Sequence, residues 1–422
     1  MNRSIAPPSY PIGKIDYPAH HQFIASGGVP VYLVHDEHCA VLKLELVFNG
    51  GARFQDQPFQ AQSTASMIPE GTTRFTASQI AEKLDYYGSY LQKRAGDDDS
   101  SFVLYCLPKF LEPCLNMIQE VLLNAVVPDN ELDIFKKNSI QRQKISESRN
   151  GYLTRRAFNE LVYGKQSIYG QTVYQQDIEN ISRETVMAFY ESQYKTGIKY
   201  LLVSGFVNDK VQQQLDQFCS GFKHSISKLN PILSQQSTER YRHIQNENAV
   251  QSTIRIGKLI PGRKHSDYRK LQVMSLILGG YFGSRLMSSI REEQGLTYGI
   301  HSAVESNLEA GAFYIETDMN NELAANGIEA IFAEIQKLIE TPVEADELNT
   351  AKNYYLGSFL RSLDGPFSIA DRAKIIIDFG FESNYYEEFL EIINRVSALD
   401  IQQLAQTYLD RKDLITVVTG KK

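Results

Sequence analysis

Two stretches of this chain, about 215 residues apart, are written to one plan. The segment "ENISRETVMAFYESQYKTGIKYLLVSG" (179–205) reads as a helix capped by Ser182, an aromatic, a turn, and an apolar strand closing on glycine. The segment "NRVSALDIQQLAQTYLDRKDLITVVTG" (394–420) repeats that order with Ser397 as the cap. A second echo keeps the offset: "VVPDNELDIFKKN" (126–138) lies against "ETPVEADELNTAKN" (340–353), with Glu131-Leu132 falling on Glu347-Leu348. Two echoes at one spacing predict an internal duplication. A length of 422 residues, too long for one ordinary domain, fits that reading.

The boundary falls near 220–245, where "GFKHSISKLNPILSQQSTERYRHIQNENA" is polar and without sustained period. The expectation is an N-terminal domain over 1–225, a linker over 226–245 and a C-terminal domain over 246–422. Strands read at "VPVYLVHD", "CAVLKLELVF", "SSFVLYCL", "KYLLVSGF", "STIRIGKLI", "GAFYIETDM" and "LITVVTG", from alternation or β-branched runs. Long helical periods lie at about 76–88, 109–124, 129–148, 183–194, 267–278, 321–339, 344–362, 367–379, 384–394 and 398–408. Strands come in pairs before runs of helices, not in strict βαβ alternation. The predicted class is therefore α+β, two duplicated domains, each an antiparallel-rich sheet with helices on one face.

Composition removes several function classes. Apolar residues at 42% and charged residues at 22% describe a soluble globular chain, and no apolar run approaches the roughly 18–20 residues that span a bilayer. The start, "MNRSIAPPSYPIGKIDYPAHH", has no apolar core of a secretory signal. Cys39, Cys106, Cys114 and Cys219 are scattered in mostly apolar company and read as reduced residues of a cytoplasmic protein. A net charge of −7 argues against nucleic acid or an anionic membrane as partner. The one basic stretch, "KKNSIQRQKISESRNGYLTRR" (136–156), reads as a solvated helix face.

The densest chemical pattern is R-E-x-x-G-L-x-Y, from Arg291 to Tyr298. Arg291 follows an apolar helix face (Leu286, Ile290) near a helix C-terminus, Gly295 permits a left-handed exit, and "LTYGIHSAVE" begins a strand. Arg and Tyr then sit either side of one tight turn, where a guanidinium fork and a phenol O–H could hold a peptide carbonyl and its developing oxyanion. The residues alone favour a plainer reading, a helix-capping Arg and an idle strand Tyr. Other clusters read plainly. "HDEHC" (35–39), with His35, His38 and Cys39, lacks a fourth zinc ligand and reads as a hairpin turn. "RAGDDDSS" (94–101) lacks the alternating spacing of a Ca²⁺ loop, and "GGYFG" (279–283) lacks the G-K-[ST] of a phosphate loop.

Along nearly its whole length the chain resembles the pitrilysin/insulinase family of inverted-motif zinc peptidases. The carriers are "LGGYFGSRLMSSIREEQGLTYGIHSAVE" and "VFNGGARFQDQPFQAQSTASMIPEGTTRFTASQIAEKLDYYGS". In active members the first-half region carries H-x-x-E-H, two zinc-binding His with the motif Glu as general base. Counting back from Gly71-Thr72, that slot reads Gln62, Ser63, Thr64, Ala65, Ser66. Gln62 and Ser66 stand at the ligand positions and Ala65 at the base, while the distal ligand falls on Gln143 or Lys144. The resemblance thus implies a degenerate site with no metal bound by this chain. The second-half motif is intact, and the resemblance assigns Arg291 and Gly295 to binding the substrate backbone, and Tyr298, with Arg291, to stabilising the tetrahedral intermediate.

The same resemblance implies half of a clamshell, inactive alone, that pairs with a paralogous subunit bearing zinc to cleave peptides. Two rivals remain at this level. One is a non-enzymatic scaffold or peptide-binding subunit of the same fold; the other is a homodimeric metalloenzyme using an atypical site such as the "HDEHC" turn. In isolation the chain could also pair with itself.

Overall fold

The computed structural model describes residues 12, 17, 20–226, 232 and 234–422. Eleven strands form two sheets among these residues. The first sheet takes β1 (His21–Ile24), β2 (Pro30–His35), β3 (Leu42–Phe48), β4 (Tyr90–Ala95), β5 (Ser100–Cys106) and β6 (Tyr200–Gly205), in spatial order β1-β2-β6-β3-β5-β4. The second takes β7 (Tyr241–Gln245), β8 (Gln251–Ile260), β9 (Thr297–Ser306), β10 (Gly311–Asn320) and β11 (Ile415–Gly420), in order β7-β11-β8-β10-β9. Dropping β1 makes the orders identical. In both halves the first strand pairs parallel with the last, and the other neighbours run antiparallel. The duplication seen in the sequence is thus a duplication of topology, in an α+β fold.

Alternation along β3 shows how each sheet is covered. Leu42, Leu44, Leu46 and Phe48 face a core built with the helices Leu111–Leu123, Arg183–Gln193 and Asp209–Cys219 of the same half. Val47, on the opposite face, meets Ala370 and Ala373 of the helix Gly365–Phe379, which belongs to the other half. On that face Lys43 binds Asp371 at 2.6 Å and Glu45 lies 3.9 Å from Lys374. The second sheet is built the same way. Ile254 and Ile256 point into its own helical core, whereas Ile415 and Val417 pack against Ala157, Phe158 and Leu161 of the helix Asn150–Tyr163 from the first half. Asn150 and Gly365 stand at the offset of the sequence echoes, so the two halves exchange equivalent helices. The one-face expectation is extended here, since each sheet's second face is also covered, by the helix lent from its counterpart.

Three local expectations change. "HDEHC" is not a hairpin turn, because β6 is inserted between β2 and β3; the turn carries the chain across it, with Asp36 N–H donating to the Gly205 carbonyl at 3.0 Å. The expected linker ends in a strand: residues 241–245 form β7, whose side chains are exposed or half-buried and whose pairing with β11 is carried by the backbone. Residues 227–231 and 233 of that linker lie outside the described residues. The basic stretch is two helices, Asp129–Glu147 and Asn150–Tyr163, and the second buries Phe158 fully against the far sheet. No helix among the described residues is long and apolar enough to cross a membrane.

Candidate functional site

The R-E-x-x-G-L-x-Y segment begins where Leu286 and Ile290 bury completely in the second-half core. From Leu286 onward Met287–Glu293, which includes Ile290, winds as a wide π-helical turn, a form that recurs at functional sites. The turn closes with Gln294 N–H donating to Ser289 O at 3.1 Å and Leu296 N–H to Ile290 O at 3.0 Å. Gly295 has φ +63°, and a Cβ there would meet nothing within 4 Å, so backbone conformation alone asks for glycine. β9 then starts as an edge strand with an irregular register against Thr317–Met319. Thr297 ties that irregularity down: its hydroxyl donates to Asp318 O at 2.7 Å and receives Gly299 N–H at 3.1 Å.

Locked on both sides in this way, the two candidate groups face outward together. Tyr298 is 92% exposed and its hydroxyl has no hydrogen-bond partner among the described residues. The Arg291 guanidinium lies 5.8 Å from the Tyr298 ring centre and 4.9 Å from that of Phe282, itself 64% exposed. Its one ion pair among the described residues, to Glu292 at 3.8 Å, is loose. Cation–π contacts at exposed positions are worth about 0.5–1 kcal/mol each, enough to hold the fork beside the phenol without consuming its donors. Phe282 and Thr297 were not singled out from sequence. Only the i, i+9 reach of Phe282 to Arg291 could have flagged the first, and nothing local flags the second.

The degenerate slot lies in the other half, on the helix Gln60–Met67. Phe59, just before it, has φ +72°, the single left-handed non-glycine among the described residues. Gln62 and Gln143 are brought together, lining a cavity of about 440 Å³. Gln143 donates through Nε2 to Val173 O at 3.0 Å and Glu147 at 3.2 Å. Ala65 is buried, and the Ser66 carbonyl accepts from the Lys93 ammonium at 3.0 Å. Two neutral amides, a hydroxyl and a methyl, with a lysine alongside, do not fit Zn²⁺, which takes imidazole, thiolate or carboxylate. Among the described residues no group of three or more His, Cys, Asp or Glu is placed to hold a metal. In the "HDEHC" turn, His35 Nδ1 accepts Val207 N–H at 3.1 Å and His38 N–H caps on Asp36 at 2.9 Å, both structural tasks.

The acidic turn 97–99 is a junction between the halves. Asp98 binds Arg53 at 2.9 Å and Tyr169 O–H at 3.0 Å, and Asp99 binds Lys374 at 3.0 Å. Burial pushes the Asp99 carboxyl up, but the Lys374 ammonium and further cations outweigh it and hold it below the usual aspartate range.

Residues 180–355 match the family model described as peptidase M16 inactive domain. An uncharacterized zinc protease of Rickettsia felis is 24% identical over 390 residues, covering 89% of this chain and 91% of that one. A protein of Helicobacter pylori described as the non-peptidase homolog YmxG is 21% identical over 414 residues, covering 95% and 94%. The crystal structure of a peptidase M16 inactive domain from Pseudomonas fluorescens superposes with a TM-score of 0.85 at 20% identity, over 96% of this chain and 98% of that one. Residues 180–355 are thus similar to the peptidase M16 inactive domain, and nearly the whole chain is similar to proteins described as a zinc protease and as a non-peptidase homolog.

Proposed function

We propose that this chain is the non-zinc subunit of a two-subunit M16 metallopeptidase, giving Arg291 and Tyr298 to an active site whose metal is held by a paralogous partner. The observation that carries the reading is the free Tyr298 hydroxyl beside the Arg291 fork, on an outward surface with no internal task for either. The donor set at Gln62, Ala65, Ser66 and Gln143 supports it from the other side, since those residues cannot do the metal's work. Zinc in the partner would activate the water. Here, Tyr298 donates to the oxyanion that develops on the scissile carbonyl, and Arg291 holds a neighbouring backbone carbonyl and keeps the phenol in place. The open edge of β9, beginning at Thr297, offers unpaired backbone groups to an extended peptide. The substrate is a peptide, and the compartment consistent with four unpaired cysteines is the cytoplasm.

Co-expression with an H-x-x-E-H paralogue, followed by hydrolysis of a fluorogenic peptide by each subunit and by the mixture, tests the proposal. Activity is expected in the mixture alone. Tyr298→Phe should lower kcat by on the order of 10²–10³, the usual loss for one oxyanion donor, without weakening assembly. Unchanged turnover by an assembled Tyr298→Phe complex would remove the assigned role.

A further inference from the structure

The basic stretch 136–156 is bent around the cavity that holds Gln62 and Gln143. The helix Asp129–Glu147 ends, Asn150 starts the next, and the break gathers Arg142 with Arg155 and Arg156 on the cavity lining. Arg156 is neutralised by Glu147 at 2.9 Å and lies against the rings of Tyr152 and Tyr174. Arg142 makes a single bond, to Ser139 Oγ at 3.0 Å, and Arg155 makes none; neither meets a carboxylate among the described residues. No Asp or Glu lines the cavity, although the chain as a whole carries −7. Gln143 Oε1 and Thr172 Oγ1, on two lining residues, are buried without a hydrogen-bond partner among the described residues. Such atoms cost about 1–3 kcal/mol each when left unpaired.

We propose that this cavity binds a small carboxylate-bearing ligand of the peptide-terminus class. The carboxylate sits between the Arg142 and Arg155 forks, whose planar donors match it bidentately. The neighbouring amide N–H satisfies Gln143 Oε1, the amide carbonyl takes the Gln62 NH₂, and an apolar side chain rests on Phe59, Val173 and Ile178. Amide groups and apolar carbon around one patch of positive charge suit a C-terminal amino-acid residue, whereas inorganic phosphate would leave both unused. About 440 Å³ is within the range of small-ligand sites and holds one or two residues. Both unpaired guanidiniums reach solvent, so binding is salt-sensitive.

The test is calorimetric titration of the isolated full chain with N-acetyl-leucine, an acetylated tripeptide with a free C-terminus, the C-terminal amides of both, and inorganic phosphate. Free acids should bind at least tenfold tighter than their amides. Arg142→Ala with Arg155→Ala should lose that binding tenfold or more while the circular dichroism spectrum is kept. A tighter tripeptide identifies a peptide end as the source; equal affinities identify a free acylated amino acid. Equal binding of acids and amides, binding of neither, or phosphate binding tighter than the acids overturns the proposal. No partner subunit or Tyr298 enters the measurement, so its failure leaves the proposed pairing untouched.

Discussion

Removing the amine of Lys374 should unfasten the two halves from each other. Its ammonium sits 3.0 Å from Asp99, 2.9 Å from Asp378 and 3.9 Å from Glu45, and donates to the Tyr200 hydroxyl oxygen at 2.8 Å. The three carboxylates are 10%, 14% and 6% exposed. In Lys374→Met the methylene stem is kept and the charge is lost, leaving those carboxylates to repel in a water-poor interface. Breaking a buried pair by deleting one partner costs about 3–5 kcal/mol, and that range is the expectation here. Burial draws the Lys374 pKa down, but Asp378, Asp99 and Glu45 outweigh it and hold it above the usual lysine range. Its contribution is therefore whole below the ordinary lysine value of 10.5 and fades only as pH climbs through the folded one. Asp99, held low, contributes above its ordinary 3.8 and loses that contribution as pH falls through its folded value. Urea unfolding of wild type and Lys374→Met, followed by tyrosine fluorescence, should show the full difference across pH 6–8 and a shrinking one as pH falls below the ordinary aspartate value of 3.8 through the depressed Asp99 value. A loss under 1 kcal/mol at pH 7, or one that does not shrink as pH is taken well below 3.8, would refute the reasoning.

Three further perturbations test the geometry elsewhere. Gly295→Ala forces an alanine into φ +63° with free space around it, so chemical denaturation should report a loss of about 1–2 kcal/mol and no wider disruption. Thr154→Val orphans the Thr419 hydroxyl, its buried partner at 2.7 Å across the halves, for about 1–3 kcal/mol; adding Thr419→Val should recover most of it in a double-mutant cycle. Phe158→Ala, which empties a fully buried ring from the helix shared with the second sheet, should cost about 3–5 kcal/mol by the same measurement.

Periodicity reached most of the long helices because each buries one stripe on its own half's core, as Ile331, Ile335 and Leu338 do along Ala324–Glu340. It reached the buried strands for the same reason. It missed β1, β4 and β7, edge-lying strands such as "YLQKRA" whose pairing rests on backbone groups and leaves no apolar alternation. It also missed the helix Asn150–Tyr163 as a packing element, since the sheet that Phe158 meets is written far later in the chain, between residues 241 and 420. In the candidate site, Arg291, Gly295 and Tyr298 were legible as one motif, because a turn and its flanks are contiguous in sequence. The meeting of Gln62 with Gln143 was legible only through resemblance. The Arg142–Arg155 cavity was not legible, because which arginines gather at the helix break at Ser148 and Arg149 depends on the angle between two helices, which the Asn150-Gly151 dipeptide at that break does not set.

The exchange of helices between the halves also sets an order of events at the ribosome. The first sheet is complete in sequence at Gly205, yet the helix that seals its second face begins at Gly365. Until those residues emerge, Tyr200, Leu202 and Val47 stay wet on a nearly finished sheet. A polypeptide released at residue 225 would present that face permanently, and it should collect in aggregates or on chaperones instead of accumulating as a free domain.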